Sequence, residues 1–327
     1  MSIEASVHPG QIDGRPNLTL TDAAGRLEAT YLPSLGMVGC SLLHEDEQLL
    51  ELLGGPAAYE QRGSSFGIPL LHPWANRLAG YSYEVAGRRV DIDPDSPRIH
   101  QDENGLPIHG VLAAHPGWTV LESVAQADTA RLRAQLDFGA HDDLLAAFPF
   151  PHLLEYDASV ADSRLRVALT VTPTSEVAVP IAFGLHPYLR LPRTDRRRWQ
   201  LELPVRRRLV LDPRGLPTGE YELVEPQAIS GPLADRVFDD CFDRLQPPPG
   251  GGPVVFSLQD ERRRISVELL AGYDVVQVFA PAGSDFICIE PMTAPVNALA
   301  DGSGLRFAQP GVPFEAEFAI AVQSPRD

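Results

Sequence analysis

RLRVALTVT, residues 164–172, alternates without a break: Leu165, Val167, Leu169 and Val171 fall in one phase, Arg164, Arg166, Ala168 and Thr170 in the other. An extended backbone sends successive side chains to opposite faces, so this spelling predicts a strand with one buried face. The same period of two runs through ARLRAQLDF (130–138), with Leu132, Leu136 and Phe138 in phase. It returns in FEAEFAIAV (314–322), where Phe314, Phe318, Ile320 and Val322 oppose Glu315 and Glu317. Further short strands are predicted at 17–21, 28–32, 38–43, 118–124, 200–205, 254–258, 265–270, 275–279 and 286–289, separated by Gly, Pro, Asn and Asp. Helical periodicity is confined to 56–63 and 142–148, a turn or two each. Many short strands with turn chemistry between them predict an all-β chain, a large antiparallel sandwich with few short helices. The densest Pro/Gly patch, QPPPGGGP (246–253), reads as a surface hairpin loop because strand-like residues resume on both sides.

The chain has 327 residues, no internal repeat and no linker long enough to divide it, so residues 1–327 are expected to form one domain. A hydrophobic share of 44% and a charged share of 22% exclude disordered and collagen-like classes. A net charge of −17 would repel a phosphate backbone, which argues against a nucleic-acid partner. Arginines do cluster in the stretches 193–200, 205–209 and 261–265; they read as solvated loops and strand ends offsetting the acidic excess, with a phosphorylated ligand as the competing use. Cys40, Cys241 and Cys288 are odd in number and show no CxxC spacing, so no disulfide is expected. The first residues lack a basic segment followed by an apolar one, and no 18-residue apolar run occurs later; the cytoplasm is the expected location, with no membrane association.

Chemistry is sought in polar residues placed in apolar company. HPWANRLAG (72–80), NGLPIHGVL (104–112), FGLHPYLRL (183–191) and ICIEPMTAPVNAL (287–299) qualify, with VFDDCFD (237–243) a weaker fifth. Glu290 ends an apolar run, where a carboxylate loses solvation and has to be paired, hydrogen-bonded or protonated. Taken singly, Glu290 reads equally as half of a buried ion pair, His109 and His186 as core imidazoles, and Asn76 and Arg77 as loop braces. A His and a Glu in one pocket can also act as opposed acid and base near neutral pH. Metal ligation is the rival use, but no HxH or HExxH spacing is present; His109, His186 and Glu290 lie 77 and 104 residues apart, so no metal is expected.

In order, GIPLLHPWANR (67–77), HG (109–110), GLHPY (184–188), DDCF (239–242), and EPMT (290–293) with NAL (297–299) resemble the aldose 1-epimerase (mutarotase) family. The similarity runs from about residue 66 to residue 311, and QPGVPFEAEFAI (309–320) is similar to the family's closing strand. The resemblance implies a galactose mutarotase-like antiparallel β-sandwich acting on a sugar without a cofactor, as a monomer or homodimer. It implies that Glu290 is the general base for the C1 hydroxyl and His186 the general acid for the ring oxygen. Arg77, His109 and Asp239 would bind sugar hydroxyls with Asn76 in support, Asp240 and Asp243 being neighbours of Asp239 in register. Galactose mutarotases carry His-x-Tyr-Phe-Asn-Leu where this chain has HPYLRL (186–191), so the match is to the broader family. A hexose 6-phosphate epimerase, for which Arg190 would be the phosphate candidate, is the alternative within the fold. A non-catalytic sugar-binding protein, or a glycosidase using Glu290 and Asp239, are the alternatives outside epimerisation.

Overall fold

The computed structural model describes residues 4–62 and 66–324. It is 51% strand and 9% helix, arranged in several antiparallel sheets, as the alternation predicts. The strand that opened the sequence argument is Arg164–Pro173, and its side chains are alternately half-buried and buried along its whole length. Leu165, Val167, Leu169 and Val171 are at most 1% exposed, which stabilises the fold by roughly 1.5–3 kcal/mol each in gross burial. On its other face Arg164 pairs with Glu268 at 2.5 Å, and Arg166 pairs with Glu317 through both nitrogens of its fork.

That strand sits within a nine-stranded sheet ordered Thr119–Gln126, Thr129–Asp137, His152–Ala161, Arg164–Pro173, Phe314–Gln323, Arg264–Ala271, Val254–Gln259, Gln200–Glu202 and Gly231–Pro232. An eight-stranded sheet runs Pro217–Leu223, Val205–Leu211, Phe238–Leu245, Val275–Ala280, Ile287–Met292, Gly184–Leu185 and Leu70–Leu71, with Tyr188–Leu189 also paired to Ile287–Met292. The two share one core: Leu132, Leu154, Val167 and Phe318 from the first pack in the same cluster as Phe242, Val276, Val278, Ile287 and Ile289 from the second. A five-stranded N-terminal sheet, Ser6–Ile12 to Glu47–Gln48, adds Leu20, Ala29, Tyr31 and Leu42 to it. Among the described residues no helix is long and apolar enough to cross a membrane.

Two departures from the sequence expectation have physical causes. QPPPGGGP does have a strand on each side, but Phe238–Leu245 belongs to the eight-stranded sheet and Val254–Gln259 to the nine-stranded one. The segment is therefore a crossing between sheets and not a hairpin loop; runs of Pro and Gly specify a change of direction without specifying which strand is rejoined. Strand His152–Ala161 carries the same alternation as its neighbour but spells its buried phase His152, Leu154, Tyr156, Ala158 and Val160, which dilutes the apolar signal. The three cysteines are buried free thiols.

Candidate active site

The inner phase of strand Ile287–Met292 buries Ile287 and Ile289, so its other phase turns Cys288, Glu290 and Met292 away from the shared core. Directly opposed residues of antiparallel strands share a face. Glu290 lies opposite Gln277, Cys288 opposite both Phe279 and Tyr188, and Phe279 opposite Asp239. Register alone thus brings Asp239, Gln277, Glu290 and Tyr188 together from four strands. It also separates the three neighbouring aspartates: Asp239 lines the pocket, while Asp240 reaches Arg208 (3.3 Å) and Asp243 is held by both nitrogens of Arg207 (2.7 and 2.6 Å).

His186 enters from the short strand Gly184–Leu185, with its N–H donating to the Pro69 carbonyl at 3.1 Å. A side chain at Gly184 would come within 2.7 Å of the Pro291 carbonyl oxygen, so only glycine lets this segment lie against the Glu290 strand. Asn76, Arg77 and His109 come from two loops braced against each other. The His109 N–H donates to the Asn76 carbonyl (2.9 Å), and His72 bridges to Gly110, where a Cβ would sit 2.2 Å from the His72 oxygen. Asn76 and His109 both hold left-handed backbone, φ 56° and 65°, a strained state for His that the surrounding hydrogen bonds maintain. Asn297 buttresses the loop by donating its N–H to the Arg77 carbonyl and accepting from the Ala79 N–H, and the Thr293 hydroxyl donates to the Phe183 carbonyl. The Thr and Asn of the EPMT…NAL stretch therefore act as braces.

All six residues singled out in the sequence, Asn76, Arg77, His109, His186, Asp239 and Glu290, line one cavity of about 300 Å³ together with Glu103, Ile108, Tyr188, Gln277 and Phe279. His186 Nε2 is 3.2 Å from Glu290 Oε1, with both side chains at most 5% exposed. Tyr188 stacks on the His186 ring at 4.4 Å and 6°, and His109 meets it edge-on at 5.3 Å. The Arg77 guanidinium donates to Asp102 (2.5 Å) and to Asn76 Oδ1 (3.2 Å) and reaches Glu103 at 3.4 Å. Gln277 donates to Asp239 at 2.6 Å, while its own Oε1 has no partner.

Sequence reasoning missed Gln277, Asp102, Glu103 and Tyr188 as site residues. Gln277 was visible by the same test that found the others, a polar residue inside the apolar run VVQVFA. Asp102 opens a Gly-containing turn, accepting from the Asn104 and Leu106 N–H groups, and nothing in that pattern points to Arg77.

Burial dominates the electrostatics. It drives His186 down to about 3 and His109 well below the ordinary imidazole range, with His186 and Arg77 lowering His109 further. It drives Glu290 well above the ordinary carboxylate range, with Asp239 adding to the rise and Arg77 opposing it. Asp239, at the more open rim, is raised by desolvation, with Arg77 and the Gln277 hydrogen bond opposing the rise. Both directions favour a neutral His186–Glu290 pair sharing a single exchangeable proton.

Two groups of described residues bring metal-type donors within 4.8 Å of one another: His186, Cys288 and Glu290, and His115, His141 and Asp143. In the first, burial pushes the Cys288 thiol well above its usual range, away from the thiolate that metals bind. In the second, Arg98 holds Asp143 at 2.8 Å and the Gly117 N–H donates to His115 Nδ1. A larger cavity, about 560 Å³, lies beside Arg207, Tyr221 and Asp243, but no histidine lines it and its guanidinium is bound to Asp243. The smaller one is where a His and a Glu able to serve as acid and base meet.

The structure is similar to a galactose mutarotase-like protein from Clostridium acetobutylicum, with a TM-score of 0.85, 18% identity, and 98% of this chain and 99% of that one covered. It is also similar to the GalM/aldose epimerase homologue from C. elegans, with a TM-score of 0.72, 15% identity, and coverage of 98% and 99%. In sequence it is 25% identical over 320 residues to the uncharacterized protein YihR of Escherichia coli K12, covering 92% of each. The family profile described as aldose 1-epimerase matches residues 38–321, and the chain belongs to that family.

Proposed function

We propose that this protein is an aldose 1-epimerase that interconverts the α and β anomers of a sugar, working as one domain in the cytoplasm. The observation that carries the reading is the buried contact of His186 Nε2 with Glu290 Oε1 at 3.2 Å, inside a pocket that also presents Arg77, His109 and Asp239. Two oxygens on one tetrahedral carbon lie closer together than this. A base and an acid at that spacing can therefore each face one oxygen of a hemiacetal carbon within hydrogen-bond reach.

Glu290 takes the proton from the C1 hydroxyl, the C1–O1 bond becomes a carbonyl, the C1–O5 bond breaks, and His186 protonates O5. Rotation about C1–C2 presents the other carbonyl face, and closure with both transfers reversed gives the other anomer. The step is redox-neutral: the reacting state is the tautomer in which the pair's proton has passed from Glu290 to His186, so that Glu290 gains the O1 proton as His186 gives its own to O5. Ring opening leaves Glu290 protonated and His186 neutral, which is the state that burial already favours; sugar hydroxyls and Arg77 stabilise the carboxylate when the ring form binds. Tyr188 and His109 fix the imidazole plane, and Asp239, Gln277 and Arg77 face the hydroxyls. Polarimetry on freshly dissolved α-D-glucose and α-D-galactose tests the reading. Accelerated decay of rotation supports it, and no acceleration with any aldose refutes it.

A further inference from the structure

The pocket holds more carboxylate than cation. Glu103, Asp239 and Glu290 line it with Arg77 as their only guanidinium, and Arg77 is already committed to Asp102 and Glu103. Among the described residues no other guanidinium lines it. The sequence contains no lysine, so all 27 basic side chains are arginines. Arg190, four residues from His186, turns to Glu51 at 2.9 Å and is not among the pocket residues. The arginine runs are spent elsewhere: Arg193, Arg262 and Arg263 converge on Glu47, Arg198 pairs with Glu261, and Arg197 pairs with Asp235.

An anionic substituent brought into this cavity would give up water and meet like charge with no free donor fork to receive it. We propose that the site selects uncharged aldoses against phosphorylated and carboxylated ones, and that Glu103 is the specificity-determining residue that enforces the choice. The proposal rests on the aldose 1-epimerase reading. Glu103 suits the role because it combines two placements: it borders the cavity and reaches Arg77, yet its side chain remains 74% exposed. It therefore presents a solvated carboxylate at the mouth, whereas Glu290 is buried and desolvation raises it toward its neutral form against the pull of Arg77. Rejection of this kind is specificity by repulsion, and it weakens as salt shortens the reach of the charge to about 8 Å and below.

The test is anomer exchange followed by NMR on D-glucose, D-glucose 6-phosphate and D-glucuronate, with the wild type, Glu103→Gln and Glu103→Lys. The wild type should favour glucose over each anion by about tenfold or more in kcat/KM at low salt. Removing the charge should narrow that ratio about threefold and reversing it about tenfold, since the second change is twice the first in charge. Added salt should narrow the wild-type ratio more than that of Glu103→Gln. Equal use of glucose and its 6-phosphate by the wild type, or a ratio unmoved by Glu103→Lys, overturns the proposal. Failure to accelerate these three sugars and every other aldose refutes the epimerase reading itself.

Discussion

Glu290→Gln separates a base from a structural carboxyl, because the two roles predict opposite effects on stability. Glu290 is 1% exposed, its Oε1 faces His186 and its Oε2 has no partner among the described residues. Burial first, then Asp239, raise its proton affinity in the folded protein above the ordinary value of 4.5. Between 4.5 and that raised value the folded state binds more protons than the unfolded state, so Glu290 costs stability progressively as pH rises through this window. Glutamine keeps the shape of the protonated carboxyl and cannot ionise. The variant should therefore be at least as stable as the wild type at pH 7, with its advantage growing from pH 4.5 upward. Its epimerase rate should fall about 10²–10⁴-fold, or about 2.7–5.5 kcal/mol of barrier, since glutamine cannot accept the hydroxyl proton. Polarimetry and urea unfolding on the same preparations measure both quantities. A rate within tenfold of the wild type, or a loss of rate that merely follows a loss of folded protein, would refute the assignment.

Three further outcomes follow from the geometry around this pair. Gly110→Ala forces a Cβ to 2.2 Å from the His72 carbonyl at φ +72°, and should cost about 3 kcal/mol in urea unfolding; an unchanged midpoint would mean that the two loops do not brace each other as described. His152, buried against His72 with Nε2 to Nε2 at 2.9 Å, is pushed down to about 4 by burial. The unfolded chain thus binds its proton between pH 6.5 and about 4 while the folded one does not, and stability falls as pH drops through that window by on the order of 3 kcal/mol. Replacing it with leucine should flatten that slope in urea midpoints measured from pH 7 to 4, and an equally steep variant would count against the dyad as its source. Gln277→Leu removes both the unpartnered Oε1 and the donor to Asp239, so KM should rise more than kcat falls, with about a tenfold loss in kcat/KM; a selective loss of kcat would move Gln277 into the proton-transfer step.

The parts of this site that were legible in the sequence are those where burial conflicts with polarity. Glu290 after Phe286–Ile289, and His186 among apolar and cyclic neighbours, stand out because neither has a solvated alternative on a strand so apolar. Their partnership came from the family resemblance and not from any local pattern, because it is made by register. Tyr188 faces Cys288, Gln277 faces Glu290 and Phe279 faces Asp239 across three strand pairings that no local pattern encodes. For the same reason the strands at 254–258 and 265–270 could be read locally, whereas QPPPGGGP could not be assigned to a sheet crossing; the pairing that decides it lies with residues far away in the chain.

The clamp on Arg77 shows what such distant pairing contributes chemically. Arg77 is recognisable in HPWANR, but its side chain would be free to turn to solvent if Asp102 did not hold it. Asp102 reaches it because the Arg77–Ile108 bridge and the His109–Asn76 hydrogen bond dock the 102–110 loop beside it. That docking depends on glycine at 110 and on left-handed backbone at Asn76 and His109, so the strain stored in these loops holds a cation within the field of Asp239 and of the buried Glu290. Its charge is what opposes the rise in proton affinity of both Asp239 and Glu290. Loosening the loops should therefore impair proton transfer through the carboxylate even with His186 and Glu290 untouched: Asp102→Asn should shift the acid limb of the pH–rate profile upward. A profile that only drops in height, without moving, would mean that Arg77 acts on substrate binding and not on the ionisation of Glu290.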